Sequence, residues 1–173
     1  LVRQAQQPLD YVFVCCGGGG LLAGMAAYLR YVWPQTRIIG VEPEDAACVQ
    51  AALDKGRRVT LREVGLFADG CAVAQVGKET FRLIRECVDD VITVSTDEIC
   101  AAVKDIFEDK NDFSKEILNS KKPLIILGES FLKVKSSSYL FNLLKEFLIK
   151  KNKINKDWNP FNILSTNASS VGN

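Results

Sequence analysis

A chain of 173 residues, 47% of them hydrophobic and 25% charged, holds enough apolar material for one globular domain or two small ones. A formal net charge of +1 gives no electrostatic reason for a nucleic-acid or anionic-membrane partner, and no apolar run reaches membrane-spanning length. The complete lack of histidine removes Ser-His-Asp and Cys-His nucleophiles and every histidine-containing zinc motif. The cysteines at 15, 16, 48, 71, 87 and 100 form no Cys-x-x-Cys pair, so reduced, mostly buried thiols are expected and a zinc knuckle is not. Residues 1–8 show no signal-peptide core, and a cytoplasmic location with no membrane insertion is the resulting expectation.

Residues 11–16, Tyr-Val-Phe-Val-Cys-Cys, are apolar on both alternating faces, which predicts a strand buried on two sides of a parallel sheet. Gly17-Gly-Gly-Gly20 follows, and residues 21–32 read as a helix that stops before Trp33-Pro34. Nothing from Cys16 to Leu22 can cap that helix through a side chain, so its first N–H groups are free for a ligand. Four glycines permit positive φ and clear every Cβ from the bend, allowing backbone N–H groups to converge on a phosphate.

Residues 36–42 predict a second buried strand, completing a right-handed βαβ unit. Asp45 is expected to cap a helix over 46–53 that closes near Gly56, residues 64–70 a loop, and 74–87 a helix using Val76, Phe81, Leu83 and Ile84. Asp89-Asp90 end it. A short strand over 91–94 then meets a capping box, Ser95-Thr-Asp-Glu98, opening a helix with Ile99, Val103, Ile106 and Phe107 on one stripe. Further on, the pattern predicts a short helix over 113–119 and a buried strand over 121–128. A longer helix opens at 136–138, with Leu140, Leu143, Leu144, Phe147 and Leu148 as its apolar stripe, and Asn159-Pro160 marks a turn. Lysines 145, 150, 151, 153 and 156 form the solvated side of that helix, with no interleaved aromatics to suggest nucleic-acid binding. Asn167-Ala-Ser169 fits a glycosylation acceptor and carries little meaning in a cytoplasmic chain.

Composition changes abruptly near residue 110. All eight arginines and all six cysteines precede it, whereas all nine asparagines and ten of fourteen lysines follow it. The formal charge is −4 over 1–110 and +5 over 111–173. Two segments of separate origin, 1–109 and 110–173, account for this better than a single domain with a basic tail.

On pattern alone the glycine loop has two readings. Gly18-x-Gly20-x-x-Ala23 satisfies the dinucleotide fingerprint, with Glu42 placed to hold a ribose hydroxyl in a nicotinamide-dependent oxidoreductase. Four consecutive glycines equally suit a compact phosphate monoester enclosed by backbone N–H groups.

Several stretches of the first segment, taken in order, resemble the biosynthetic threonine dehydratases of the pyridoxal-phosphate-dependent serine/threonine dehydratase family. They are Leu9-Asp-Tyr-Val-Phe-Val14, Gly17-Gly-Gly-Gly-Leu-Leu-Ala-Gly24, Val41-Glu-Pro-Glu-Asp-Ala-Ala-Cys48, Val64-Gly-Leu-Phe-Ala-Asp-Gly70, Gly77-Lys-Glu-Thr-Phe-Arg-Leu83 and Asp89-Asp-Val-Ile-Thr-Val94. The resemblance runs on through Lys104-Asp-Ile-Phe-Glu-Asp109. It implies an α/β fold, part of a three-layer parallel-sheet domain of the tryptophan synthase β type. It also implies that Gly17, Gly18, Gly19, Gly20 and the Leu21 N–H cradle the phosphate of pyridoxal 5'-phosphate, with Gly70 approaching cofactor or substrate by its backbone. The family removes water and ammonia from L-threonine to give 2-oxobutanoate, in isoleucine biosynthesis. Its cofactor-linked lysine, in a Ser-Phe-Lys-type motif, and its Glu-Pro-Ser-Gly motif have no match here. No catalytic residue is therefore assigned, and only the phosphate end of the cofactor is expected to bind, non-covalently. Lys55, Lys78 and Lys104 read as surface residues. Glu42, Glu44 and Asp45 resemble a stretch where some relatives bind a cation, but the spacing is not kept and no metal is expected.

In the second segment, Lys122-Pro-Leu-Ile-Ile-Leu-Gly128 and the stretch from Trp158 to Gly172 resemble the molybdopterin-oxidoreductase-like region of the large iron–sulfur subunit of NADH–quinone oxidoreductase. This segment has no cysteine, so it can hold no cluster of that family. The whole reads as a partial threonine dehydratase joined to a second small α/β fragment. A non-catalytic binding or assembly module is the other reading, and open sheet edges and faces predict self-association.

Overall fold

The structure, a computed structural model, describes residues 1–5, 7–128 and 137–164. The chain divides into two compact units, Leu1–Thr96 and Asp97–Asn173. The glycosylation-like Asn167 lies outside the described residues, as does most of the stretch beyond Trp158.

In the first unit a short helix α1 (Val2–Ala5) precedes strand β1 (Tyr11–Cys15), helix α2 (Gly20–Val32) and strand β2 (Arg37–Pro43). Helix α3 (Cys48–Lys55), helix α4 (Lys78–Cys87) and strand β3 (Asp90–Val94) complete it, with 3₁₀ turns at Glu44–Ala46 and Asp69–Cys71. The sheet order is β1-β2-β3, all parallel. The register sets Tyr11 beside Arg37 and Ile39 beside Asp90. Val12, Val14, Ile38 and Val91 point into a core completed by Leu22, Ala26 and Leu29 of α2, Val49 and Ala52 of α3, and Phe81 and Ile84 of α4. Each such aliphatic residue taken wholly out of water contributes about 1.5–3 kcal/mol.

Two expectations change here. Strand β1 is not buried on both faces: Tyr11 is 51% and Phe13 63% exposed, because β1 alternates and only one of its faces meets the helical core. Helix α4 starts at Lys78 rather than at 74. Gly77, with extended backbone, is its N-cap, and its carbonyl accepts the Phe81 N–H at 3.0 Å. Val76, fully buried, lies ahead of the helix.

The second unit holds helix α5 (Thr96–Phe107) from its second residue onward, helix α6 (Asp112–Asn119), strand β4 (Ile125–Gly128), helix α7 (Ser137–Lys150) and strand β5 (Phe161–Leu164). Asn111 caps α6 by accepting the Phe113 N–H at 2.9 Å. Strands β4 and β5 pair in parallel. Leu144, Phe147 and Leu148 centre a small core with Ile117, Ile125, Leu127 and Phe161. The strand expected to be buried over 121–128 is half open, with Leu124 at 58% and Ile126 at 59% exposed. Ile125 and Leu127 meet the core while their neighbours point away from it.

Candidate functional site

The glycine loop occupies the bend from β1 into α2. Gly17 and Gly18 are half-buried, Gly19 is buried and Gly20 exposed. Gly19 has φ +84°, a left-handed conformation that costs a side-chain-bearing residue about 1–2 kcal/mol. A Cβ there would also sit 2.9 Å from Ile84 Cδ1 and 3.2 Å from Thr80. Gly17 is enclosed too, since its Cβ would lie 3.1 Å from both the Cα and the carbonyl oxygen of Cys71. Gly20 differs. Nothing stands within 4 Å of where its Cβ would be.

Helix α2 begins with no side-chain cap. The Gly19 carbonyl accepts the Ala23 N–H at 2.9 Å, the first bond of the helix. A trans planar peptide then points the Gly20 N–H the opposite way, out beyond the helix start. Gly20, Leu21 and Leu22 thus carry the N–H groups that no helical carbonyl can reach, at the positive end of a helix of 13 residues. These uncapped N–H groups, with open space where a Cβ would be at Gly20, are the donors that the phosphate end of a cofactor would need.

The two preceding carbonyls are turned away and held. Gly17 accepts the Cys48 thiol at 3.4 Å and, more weakly, the Cys16 thiol at 3.7 Å. Gly18 accepts the Thr80 hydroxyl at 2.9 Å and the Gly77 N–H at 3.2 Å. Burial pushes the Cys16 thiol up to about 12, with Glu42, Cys48 and Cys71 adding to it and the Gly19 N–H working the other way. Burial likewise pushes Cys48 up to about 11, with Glu42 adding. Both are neutral hydrogen-bonding thiols at ordinary pH. Among the six free cysteines only Cys15 is exposed, since it ends β1 on its open face.

Gly70 is exposed, with open space where a Cβ would be. Its neighbour Cys71 packs against Gly17, so the turn at Asp69–Cys71 comes to the loop. The structure brings Gly17 to Leu21 into one bend and sets Gly70 one residue from the contact with it. Lys55 and Lys78 are exposed, and Lys104 is half-buried with an ion pair to Glu108 at 3.7 Å.

Glu42 is fully buried, and its two oxygens accept the N–H groups of Val49 at 2.9 Å and Gln50 at 2.8 Å. It therefore caps α3, the role expected of Asp45. That helix starts later, at Cys48, with Ala47 as an N-cap whose side chain offers nothing; its end at Gly56, φ +64°, is where the sequence places it. With both oxygens turned onto α3 and no exposed surface, Glu42 cannot reach a ribose hydroxyl. Burial raises its carboxyl above the usual carboxylate range, against the opposing pull of the Gln50 and Val49 N–H groups. Among the described residues no carboxylates or thiols cluster to hold a metal ion. Sequence reasoning missed Thr80 and Gly77 as supports because they act on the loop from far along the chain, and missed Glu42 as a cap because a 3₁₀ turn delays the start of α3 beyond Asp45.

Comparison with known proteins decides the family. The sequence profile of pyridoxal-phosphate dependent enzymes matches residues 1–112. The chain belongs to that family. Within it, the biosynthetic L-threonine dehydratase of Haemophilus influenzae is 57% identical over 100 residues, covering 58% of this chain and 20% of that protein. The Escherichia coli enzyme of the same name is 57% identical over 106 residues, covering 61% and 21%. The chain spans about a fifth of the length of these curated relatives. Among solved structures, the processed form of threonine deaminase isoform 2 from Solanum lycopersicum superposes with a TM-score of 0.60 at 33% identity, covering 95% of this chain and 41% of that one. Maize serine racemase gives 0.57 at 32% identity, covering 62% and 32%. The chain has the α/β, parallel-sheet fold of these enzymes in fragmentary form. A second profile, molybdopterin oxidoreductase, matches residues 96–173, beginning where the second compact unit begins.

Proposed function

We propose that Gly17, Gly18, Gly19, Gly20 and Leu21 form the cofactor-phosphate half-site of a threonine-dehydratase-type enzyme, binding the phosphate of pyridoxal 5'-phosphate non-covalently. The observation that carries this reading is the start of α2, where no side chain caps the first N–H groups and the space a Cβ would take at Gly20 is open. When bound, pyridoxal phosphate supplies the electron sink for amino-acid chemistry. What this chain contributes is the anion cradle, with Gly70 at its rim as a backbone approach to the ligand. The intact reaction of the dehydratases, loss of water and ammonia from L-threonine in isoleucine biosynthesis, needs a lysine at the cofactor's other end. None of Lys55, Lys78 or Lys104 is assigned that role, and the chain alone is a binding module rather than a working lyase.

Titration with pyridoxal 5'-phosphate tests this. The expected result is a saturable shift of the Gly20 and Leu21 amide resonances, reversed by inorganic phosphate, with no cofactor retained after borohydride reduction. Threonine-dependent formation of 2-oxobutanoate by the purified chain would refute the binding-module reading. Binding of NAD without binding of pyridoxal phosphate would favour the dinucleotide alternative.

The second segment is proposed as a fragment of the large iron–sulfur subunit of NADH–quinone oxidoreductase, without electron-transfer chemistry of its own. Among the described residues no helix is long and apolar enough to cross a membrane. The open face of β1, with Tyr11 and Phe13, supports self-association of the chain.

A further inference from the structure

The Gly18 carbonyl is held from outside the loop. Thr80 lies in the first turn of α4, 62 residues further along the chain, and its hydroxyl donates to Gly18 at 2.9 Å. The Gly77 N–H donates to the same oxygen at 3.2 Å. Two glycines make room for this hydroxyl and a third receives it. A Cβ on Gly77 would stand 2.7 Å from Thr80 Oγ1, and one on Gly19 would stand 3.2 Å from it; Gly18 supplies the acceptor. The Gly18 carbonyl and the Gly19 N–H belong to one rigid trans peptide. Holding the carbonyl toward α4 therefore sends the Gly19 N–H to the opposite side, where the Cys16 sulfur lies. The same peptide sets the left-handed φ of Gly19, and through it the direction in which the Gly20 and Leu21 N–H groups leave the helix start.

We propose that Thr80 is a positioning residue for the anion cradle, its hydroxyl fixing the Gly18–Gly19 peptide so that the N–H groups at the start of α2 converge on a phosphate. The proposal rests on the reading of the loop as a phosphate site. Thr80 acts through the loop backbone, by its bond to the Gly18 carbonyl. A methyl group in place of the hydroxyl cannot stay 2.9 Å from a carbonyl oxygen, so Thr80→Val rotates that peptide, whereas Thr80→Ser keeps the donor.

The test measures the affinity of the full chain for inorganic phosphate and for pyridoxal 5'-phosphate, by amide shifts of Gly20 and Leu21, alongside the thermal midpoint. Variants are Thr80→Val, Thr80→Ser and, should valine impair folding, Thr80→Ala. The expected result is affinity about fivefold or more weaker for Thr80→Val, the scale of one lost hydrogen bond, and within about twofold of wild type for Thr80→Ser. The Gly19 amide resonance should move in the valine variant without any ligand. Equal affinity in wild type and both folded variants lacking the hydroxyl overturns the positioning role and leaves the phosphate site standing. A wild-type chain that binds neither probe overturns the site reading, and the role of Thr80 in binding with it.

Discussion

Truncating Glu42 isolates the group that holds β2 and α3 together. Its carboxylate accepts the Val49 and Gln50 N–H groups from a fully buried position. Glu42→Ala leaves the Val49 donor without acceptor or water, which costs about 1–3 kcal/mol. It also removes the anionic cap of α3, about 1 kcal/mol, and about two buried methylenes at ~0.8 kcal/mol each. Relief from burying a charge offsets part of this. The net loss is about 2–4 kcal/mol, or roughly 10–20 °C in midpoint for a unit of this size. Glu42→Gln keeps the shape and one acceptor and loses about 1 kcal/mol at neutral pH. The pH dependence is sharper still. Burial raises the Glu42 carboxyl in the fold, so its favourable contribution is fully present below the unfolded carboxylate value and is lost as pH rises through the folded one. Wild type should therefore lose stability on this account as pH rises above the ordinary carboxylate range, and Glu42→Gln should not. Urea unfolding followed by Trp33 fluorescence, with Trp158 replaced by phenylalanine, measures both effects. A loss under 1 kcal/mol in Glu42→Ala would refute the capping argument, and identical pH slopes in wild type and Glu42→Gln would refute the burial-raised carboxyl.

The loop glycines should separate stability from binding. Gly19→Ala, forced to φ +84° and into Ile84, should lose about 2–3 kcal/mol of stability by urea unfolding. Gly20→Ala, which meets nothing, should change stability by less than about 0.5 kcal/mol yet weaken phosphate binding by filling the open space; unchanged affinity would argue against a phosphate there. Phe13→Lys, placing a charge on the open face of β1, should shift sedimentation toward monomer. A wild-type chain already monomeric at high concentration would remove the basis for that expectation.

Much of the first unit was legible because its signals are local. The strand, glycine loop and helix from Tyr11 to Val32 follow from apolar runs punctuated by residues with special backbone demands. What could not be read was which side chains reach across. Asp45 stands next to a helical pattern and looks like its cap, but the chain makes a 3₁₀ turn at Glu44–Ala46 first. That turn delays the helix and brings the N–H groups of Val49 and Gln50 onto Glu42 instead. In the same way, apolarity at Tyr11 and Phe13 signals a face built to be covered, not one that is covered. Thr80 carries no local signal at all; only packing of α4 against α2 turns it into a support for the loop.

The two compositional halves are not the two compact units, and Phe107 shows why. Composition switches near residue 110, yet the second unit begins at Asp97. Helix α5, whose sequence still resembles the dehydratases, ends with Asp109 at φ +61° and a bond from the Lys110 N–H to the Asp105 carbonyl at 2.9 Å, a left-handed closure at the switch itself. Just before that closure, Phe107 packs on the core of α7, its ring 6.1 Å from that of Phe147. The Ser114 hydroxyl of α6 donates to the Ile106 carbonyl at 2.6 Å. A residue from the dehydratase-like sequence thus helps bury the stripe of the Lys/Asn-rich segment. Deleting a fully buried phenylalanine side chain costs about 3–5 kcal/mol, and for the half-buried Phe107 about 2 kcal/mol is expected. Hydrogen exchange should register that loss in the amides of α7, roughly thirtyfold faster at Leu144 and Leu148, while those of α2 keep their wild-type rates. Faster exchange in α2, or none in α7, would mean that α5 belongs energetically with the dehydratase-like sheet from which its sequence comes.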